Sequence, residues 1–176
     1  LTKYTGLKCY DDYDKMLSDP ELDAVIIATA DAFHVDASIK ALKDSGHRAM
    51  FGYFESAGNV PGNQYPSDAR RIKQQYFSSS DQLLSMSMGG EIYLPGYEAA
   101  WKIGRELGIQ VVAHIVGTFG MKPTFDALAA ANAFGADNLF IHVTGMSDFA
   151  WQKLRDAGAG VSLAVPIEMN MAHGTP

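Results

Sequence analysis

The chain has a single cysteine, Cys9. No internal disulfide is open to it, and the residue reads as a small strand side chain rather than a nucleophile. No apolar run approaches the ~20 residues that cross a bilayer. No signal-peptide pattern opens the sequence. The expectation is a cytoplasmic protein without a membrane partner. Cations are scarce too: 14 Lys and Arg stand against 20 Asp and Glu, for a net charge of −6. The best basic group is Arg70, Arg71 and Lys73, so no basic face is available to meet phosphates and no nucleic-acid partner is expected. Two motifs are also missing. No Gly-x-Gly-x-x-Gly turn is present to cradle a pyrophosphate, and no His-x-His pair occurs among the five histidines. The first residue is Leu1 rather than methionine, and an upstream stretch is expected.

What is present alternates. Short apolar runs occupy 24–29, 49–54, 83–88, 111–116, 139–143 and 161–165. Each is too short for a typical helix and nearly all apolar, as in strands buried on both faces. Amphipathic stretches separate them. Pro95 and Gly108 bracket a helix with Tyr97, Trp101, Gly104 and Leu107 on one face. Ser147 is a good N-cap for a helix carrying Trp151 and Leu154 and closed by Gly158. Asp11 can cap a short helix with Tyr13, Met16 and Leu17, stopped before Pro20. Val35, Ile39 and Leu42 form another stripe, ended by Gly46. The stretch 55–67 is rich in Gly, Pro, Asn and Ser and reads as a long loop. Strands alternating with helices point to an α/β fold with a parallel sheet. The run 24–29 is expected to pair beside the run 49–54, through a short right-handed crossover.

Two families are visible in particular stretches. Residues 8–47, KCYDDYDKMLSDPELDAVIIATADAFHVDASIKALKDSGH, resemble the second half of the nucleotide-binding domain of the Gfo/Idh/MocA oxidoreductases. The order and spacing match: an acidic helix, the strand DAVIIAT, then a helix with an A...AL..G face. That family's Glu-Lys-Pro after the second helix is absent, Arg48-Ala49-Met50 standing in its place. From about residue 32 to 176 the chain is similar to the deaminase and chlorohydrolase branch of the amidohydrolase superfamily. The stretches ALKDSGHRAMFGYFES, AWKIGRELGIQVVAHIVGTFG, DNLFIHVTGMSD and GAGVSLAVPIEMNMAHGTP carry that resemblance. Both patterns fit the helix between Ala32 and His47, so a splice there would be locally smooth. The chain is read as a chimera: a βα segment over 1–46, then strands three to seven of a (β/α)₈ barrel over 47–176. The barrel would be partial and incomplete at both ends.

The amidohydrolase resemblance implies chemistry at the C-terminal ends of the strands. A divalent metal, zinc or iron, lowers the pKa of a bound water that attacks a C–N or C–halogen carbon of a small heterocyclic substrate. His114 matches the fifth-strand metal ligand. His142 matches the sixth-strand histidine that ligates or orients substrate. The family's acid three residues after the fifth-strand histidine is replaced by Gly117, and Glu168 is the candidate substitute. His173, in the loop after the last run, completes the catalytic candidates His142, Glu168 and His173. The competing reading makes each a satisfied core residue. Glu55 and Asn59 could line the mouth, a plain loop being the simpler reading. With neither the HxH pair nor the eighth-strand Asp, metal is expected to be weak or absent and the chain inactive as it stands. Two alternatives remain: an NAD(P)-dependent oxidoreductase, and a non-enzymatic recombinant α/β module. Open sheet edges would favour self-association. His114 and His142 are expected on neighbouring strands at one end of the sheet.

Overall fold

The five apolar runs from residue 49 onward all form strands. In the computed structural model they are β1 Ala49–Tyr53, β2 Leu84–Gly89, β3 Gln110–Val116, β4 Asn138–Thr144 and β5 Gly160–Ser162. The structure describes residues 8, 10–21, 31–55 and 63–175. The run 24–29 lies outside them, and so does its expected pairing with β1.

Every strand pair is parallel, and the order is β1-β2-β3-β4-β5. Sequential order has a specific meaning. A doubly wound sheet reverses direction at a switch point, whereas a barrel adds each strand beside the last. The sheet is therefore an arc of a (β/α)₈-type barrel, an α/β fold. Among the described residues, α2 Asp31–Asp44, α3 Ala69–Tyr76, α4 Tyr97–Glu106, α5 Lys122–Ala130, α6 Asp148–Ala157 and α7 Val165–Asn170 follow a short α1 Tyr13–Leu17. None is long and apolar enough to cross a membrane.

Local chemistry sets the helix ends. Ser147 caps α6 by accepting from the Ala150 amide at 3.1 Å, and Gly158 ends it at φ +70°. Helix α1 is capped by Asp12 rather than Asp11. The Asp12 carboxylate accepts from the amides of Asp14 and Lys15, the N-cap being the residue directly before the first helical turn.

The strands differ in burial. On β3, Val111, Ala113 and Ile115 are completely buried against Trp101 of α4, Phe125 of α5 and Leu154 of α6, with Phe140 of β4 at the centre. A second cluster joins Ile39 of α2 to Ile72 of α3, Phe77, Leu84 and Met86. Helix α2, where the two family patterns overlap, thus belongs to the same core as the barrel-like strands. The outer strands were expected to be buried on both faces, and they are not. Strand β1 alternates between partly buried and exposed until Tyr53, which is buried. The last run was expected to stay extended through Val165, but β5 stops at Ser162 because Pro166 opens α7 in its first turn. Val161, Leu163, Val165 and Ile167 are left exposed, since no further strand or helix covers β5 among the described residues.

Candidate active site

Alternation along β4 would send Phe140 and His142 to the same face. Phe140 is fully buried in the helix-side core, so a regular strand would bury His142 there too. The backbone prevents this. His142 has φ +74° and Val143 φ +52°, and the β3–β4 register jumps: Ile115 faces His142, then Val116 faces Thr144. Val143 is the extra residue of a β-bulge, a device that re-aims a side chain. Val143 takes the buried core position. The His142 ring lies 5.7 Å, centroid to centroid, from that of His114 on β3. A β-branched residue at positive φ is strained, by about 1–3 kcal/mol.

A test follows from this strain. Val143→Gly removes buried methyls but relieves the left-handed backbone, and it is expected to change stability by only about 1 kcal/mol. The same exchange at Val111, equally buried in regular β3, should cost roughly 3 kcal/mol. Chemical denaturation of both variants measures the contrast; equal losses would dismiss the strain at the bulge.

Buried carboxylates back both rings. Glu91, in the loop after β2 and 3% exposed, places Oε1 2.5 Å from His114 Nδ1 and accepts the His114 backbone N–H on Oε2 at 2.9 Å. Glu168 on α7, also buried, accepts from the Ala164 amide at 2.9 Å and meets His142 Nδ1 at 3.1 Å. The Glu91 hydrogen bond raises the His114 pKa above its ordinary 6.5, against the opposing effect of burial. The Ala164 amide, then His142, hold Glu168 below its ordinary 4.5.

The signs give a pH window. Stability from Glu168 is present above its unfolded value of 4.5 and is lost as pH falls through its lower folded pKa. Stability from His114 is present below 6.5 and is lost as pH rises through its higher folded pKa. Thermal melts should therefore peak between these limits, and His114→Gln should remove the alkaline decline specifically.

His173 is 4% exposed, its ring 5.0 Å from that of His142 and 5.1 Å from that of Phe119. Both of its ring nitrogens are buried without a partner, as are Thr144 Oγ1 and Glu55 Oε2. Buried polar groups are normally paired, so this cluster is poised for water or a ligand. The four candidates from sequence, His114, His142, Glu168 and His173, thus meet at one mouth, where strands β1 to β4 end. Asn59 lies outside the described residues. Glu55, weighed as a plain loop residue, contributes by accepting the Glu91 backbone N–H at 2.8 Å. Glu91 was missed; its one signal was an acidic residue directly after a strand-ending Gly-Gly. At Gly117 a Cβ would sit 2.7 Å from the Thr144 carbonyl oxygen, so no glutamate fits there unless the backbone moves.

Among the described residues no three His, Cys, Asp or Glu side chains converge to hold a metal ion. His114 and His142 keep Nε2 free, but a hydrolytic zinc site takes three protein ligands. The donor set present does not fit a resident metal.

Comparison with known proteins gives one family match and two structural likenesses. Residues 1–48 match the model of an oxidoreductase family with an NAD-binding Rossmann fold, GFO_IDH_MocA. No curated protein matches. An adenosine deaminase from Xanthomonas campestris, solved with bound zinc, superposes with a TM-score of 0.68 at 16% identity over 81% of this chain. A triazine hydrolase from Arthobacter aurescens superposes with a TM-score of 0.59 at 16% identity over 84%. The chain spans only 36% and 38% of those two proteins. At this identity the likeness establishes the fold alone. A family match confined to residues 1–48 and a fold likeness to two hydrolases over most of the chain are what the chimeric reading expects.

Proposed function

We propose that the chain is the middle arc of a cytoplasmic, metal-dependent hydrolase acting on C–N or C–halogen bonds of small heterocyclic compounds, and that it is inactive as it stands. The observation that carries this is the pair of adjacent imidazoles, each backed at Nδ1 by a buried carboxylate, at the strand ends where barrel enzymes do chemistry. The metal of the parent family would supply an activated water, and the ligand set here does not hold one. The arc's own groups can do the rest. His114, held through Nδ1 by Glu91, would offer its other ring nitrogen as a metal ligand once the set is complete. His142, fixed by Glu168, orients the substrate. His173 and Thr144 offer unpaired polar atoms to the ring edge.

Elemental analysis of the purified chain should find substoichiometric zinc and iron, with no turnover of aminopurines or chlorotriazines. Stoichiometric metal with turnover would overturn the inactive reading.

A second reading, NAD(P)-dependent oxidoreduction, has the family match over residues 1–48 in its favour. It lacks a glycine-rich turn in the sequence and a strand-order reversal among the described residues. NADH fluorescence titration is expected to show no micromolar binding; a micromolar Kd would reinstate it.

The exposed side of β5 bears on association. The outer edge of β5 and the exposed Leu163, Val165 and Ile167 beside it favour pairing with another copy. Light scattering should report species larger than a monomer. Leu163→Lys with Ile167→Lys should shift them toward one; a cleanly monomeric parent would refute the idea.

A further inference from the structure

The loop that carries Glu91 is pinned from both sides. A Cβ on Gly89 would lie 2.5 Å from the Phe54 ring and 2.7 Å from Glu55 Oε2, and one on Gly90 would lie 2.4 Å from the Trp101 ring. Trp101 Nε1 donates to the Gly90 carbonyl at 2.9 Å, and the Glu91 amide donates to Glu55 Oε1 at 2.8 Å. Only a Gly-Gly step lets the chain pass between these groups, and it delivers the Glu91 carboxylate to His114. The β2–β3 ladder has by then ended, its last pair being Gly89 with Val112. The His114 amide therefore has no strand partner on that side and donates to Glu91 Oε2 instead. The second oxygen, Oε1, meets ring Nδ1.

We propose that Glu91 is a positioning residue: its two oxygens grip the backbone and the ring of His114 together, locking the imidazole in the Nδ1–H tautomer with Nε2 bare at the mouth. An ionised carboxylate only accepts hydrogen bonds, so the proton of the neutral ring must sit on Nδ1. Glu168 meets His142 Nδ1 through Oε1 alone, an oxygen that also accepts the Ala164 amide, and on both rings Nε2 is the nitrogen without a protein hydrogen bond among the described residues. The second nitrogen of an acting histidine commonly sets which nitrogen is free. The role in reaction rests on the function proposed above; the tautomer does not, and it is read without substrate or metal.

The test is nitrogen NMR on the ¹⁵N-labelled full chain, at a pH where imidazoles are neutral, with His114 assigned by its loss in His114→Asn. The wild type should show His114 as the Nδ1–H tautomer. Glu91→Gln keeps the shape but replaces one acceptor by a donor. The backbone N–H of His114 cannot change, so the amide oxygen must serve it and the amide NH₂ must face Nδ1. The ring should then switch to the Nε2–H tautomer while circular dichroism stays native. Glu91→Asp should keep the wild-type tautomer. An Nε2–H tautomer in the wild type, or no switch in a folded Glu91→Gln protein, would overturn the proposal. If a Gln variant does not fold, the wild-type tautomer alone decides. A correct tautomer in a chain that never yields a hydrolase would leave Glu91's role standing and sink only the function.

Discussion

His114→Ala is expected to lower kcat/KM by about 10²-fold or more, because it removes one of the protein ligands that a hydrolytic metal site takes, in a chain completed with the first barrel strand, its HxH pair, and the eighth strand with its Asp. Metal retention should fall in parallel, because the resemblance makes His114 the fifth-strand ligand. His173→Ala in the same background should be milder. Its ring has no fixed hydrogen-bond partner to organise it, whereas Glu91 holds His114 by two bonds. Steady-state kinetics and elemental analysis on matched preparations would separate the two. If the completed protein bound metal equally well without His114, the ligand role would be wrong and a core histidine would be the better description.

The second large effect is on stability. Phe140 is completely buried, and its ring contacts those of Trp101, Phe125 and Phe134 at centroid distances of 5.9, 5.2 and 5.2 Å. Phe140→Ala forfeits the transfer free energy of the ring, opens a cavity and breaks three aromatic contacts, for about 3–5 kcal/mol. Whole domains are stable by about 5–15 kcal/mol, so this one change should shift the urea midpoint strongly or leave the chain unfolded at room temperature. Phe149, exposed on α6, is the control: its exchange for Ala should stay within about 0.5 kcal/mol. A Phe140 variant as stable as the control would show that the aromatic cluster does not organise the core.

How legible this was varies by element. The central strands could be read because strands of a parallel sheet covered on both faces are apolar throughout. The run 111–116 became β3 almost residue for residue, and 139–143 became β4. The run 161–165 misled for the same reason. Its apolar residues resemble a buried strand, but Pro166 turns the chain into α7 and no further element covers it among the described residues. The site followed a similar division. His114, His142, Glu168 and His173 could be named because histidines and acids at strand ends are rare enough to notice. Glu91 could not, because one acidic residue after Gly-Gly gives no sign of which strand it will reach.

Composition and periodicity alone determined that this is an α/β chain with a parallel sheet, without a disulfide or a basic face. Those properties are local or additive, and every residue votes on them. Only the tertiary structure decided that His142 faces His114. Strict alternation puts His142 in the core beside Phe140, and the left-handed turn at His142 and Val143 reverses it. That turn is a register mismatch between two strands, held by packing around Val143 and by Glu168 from a helix 26 residues later in the chain. Neither strand carries a glycine there to announce it. The physical reason is that strain at one residue is tolerated only when distant contacts repay it, and distant contacts exist only once the chain has folded.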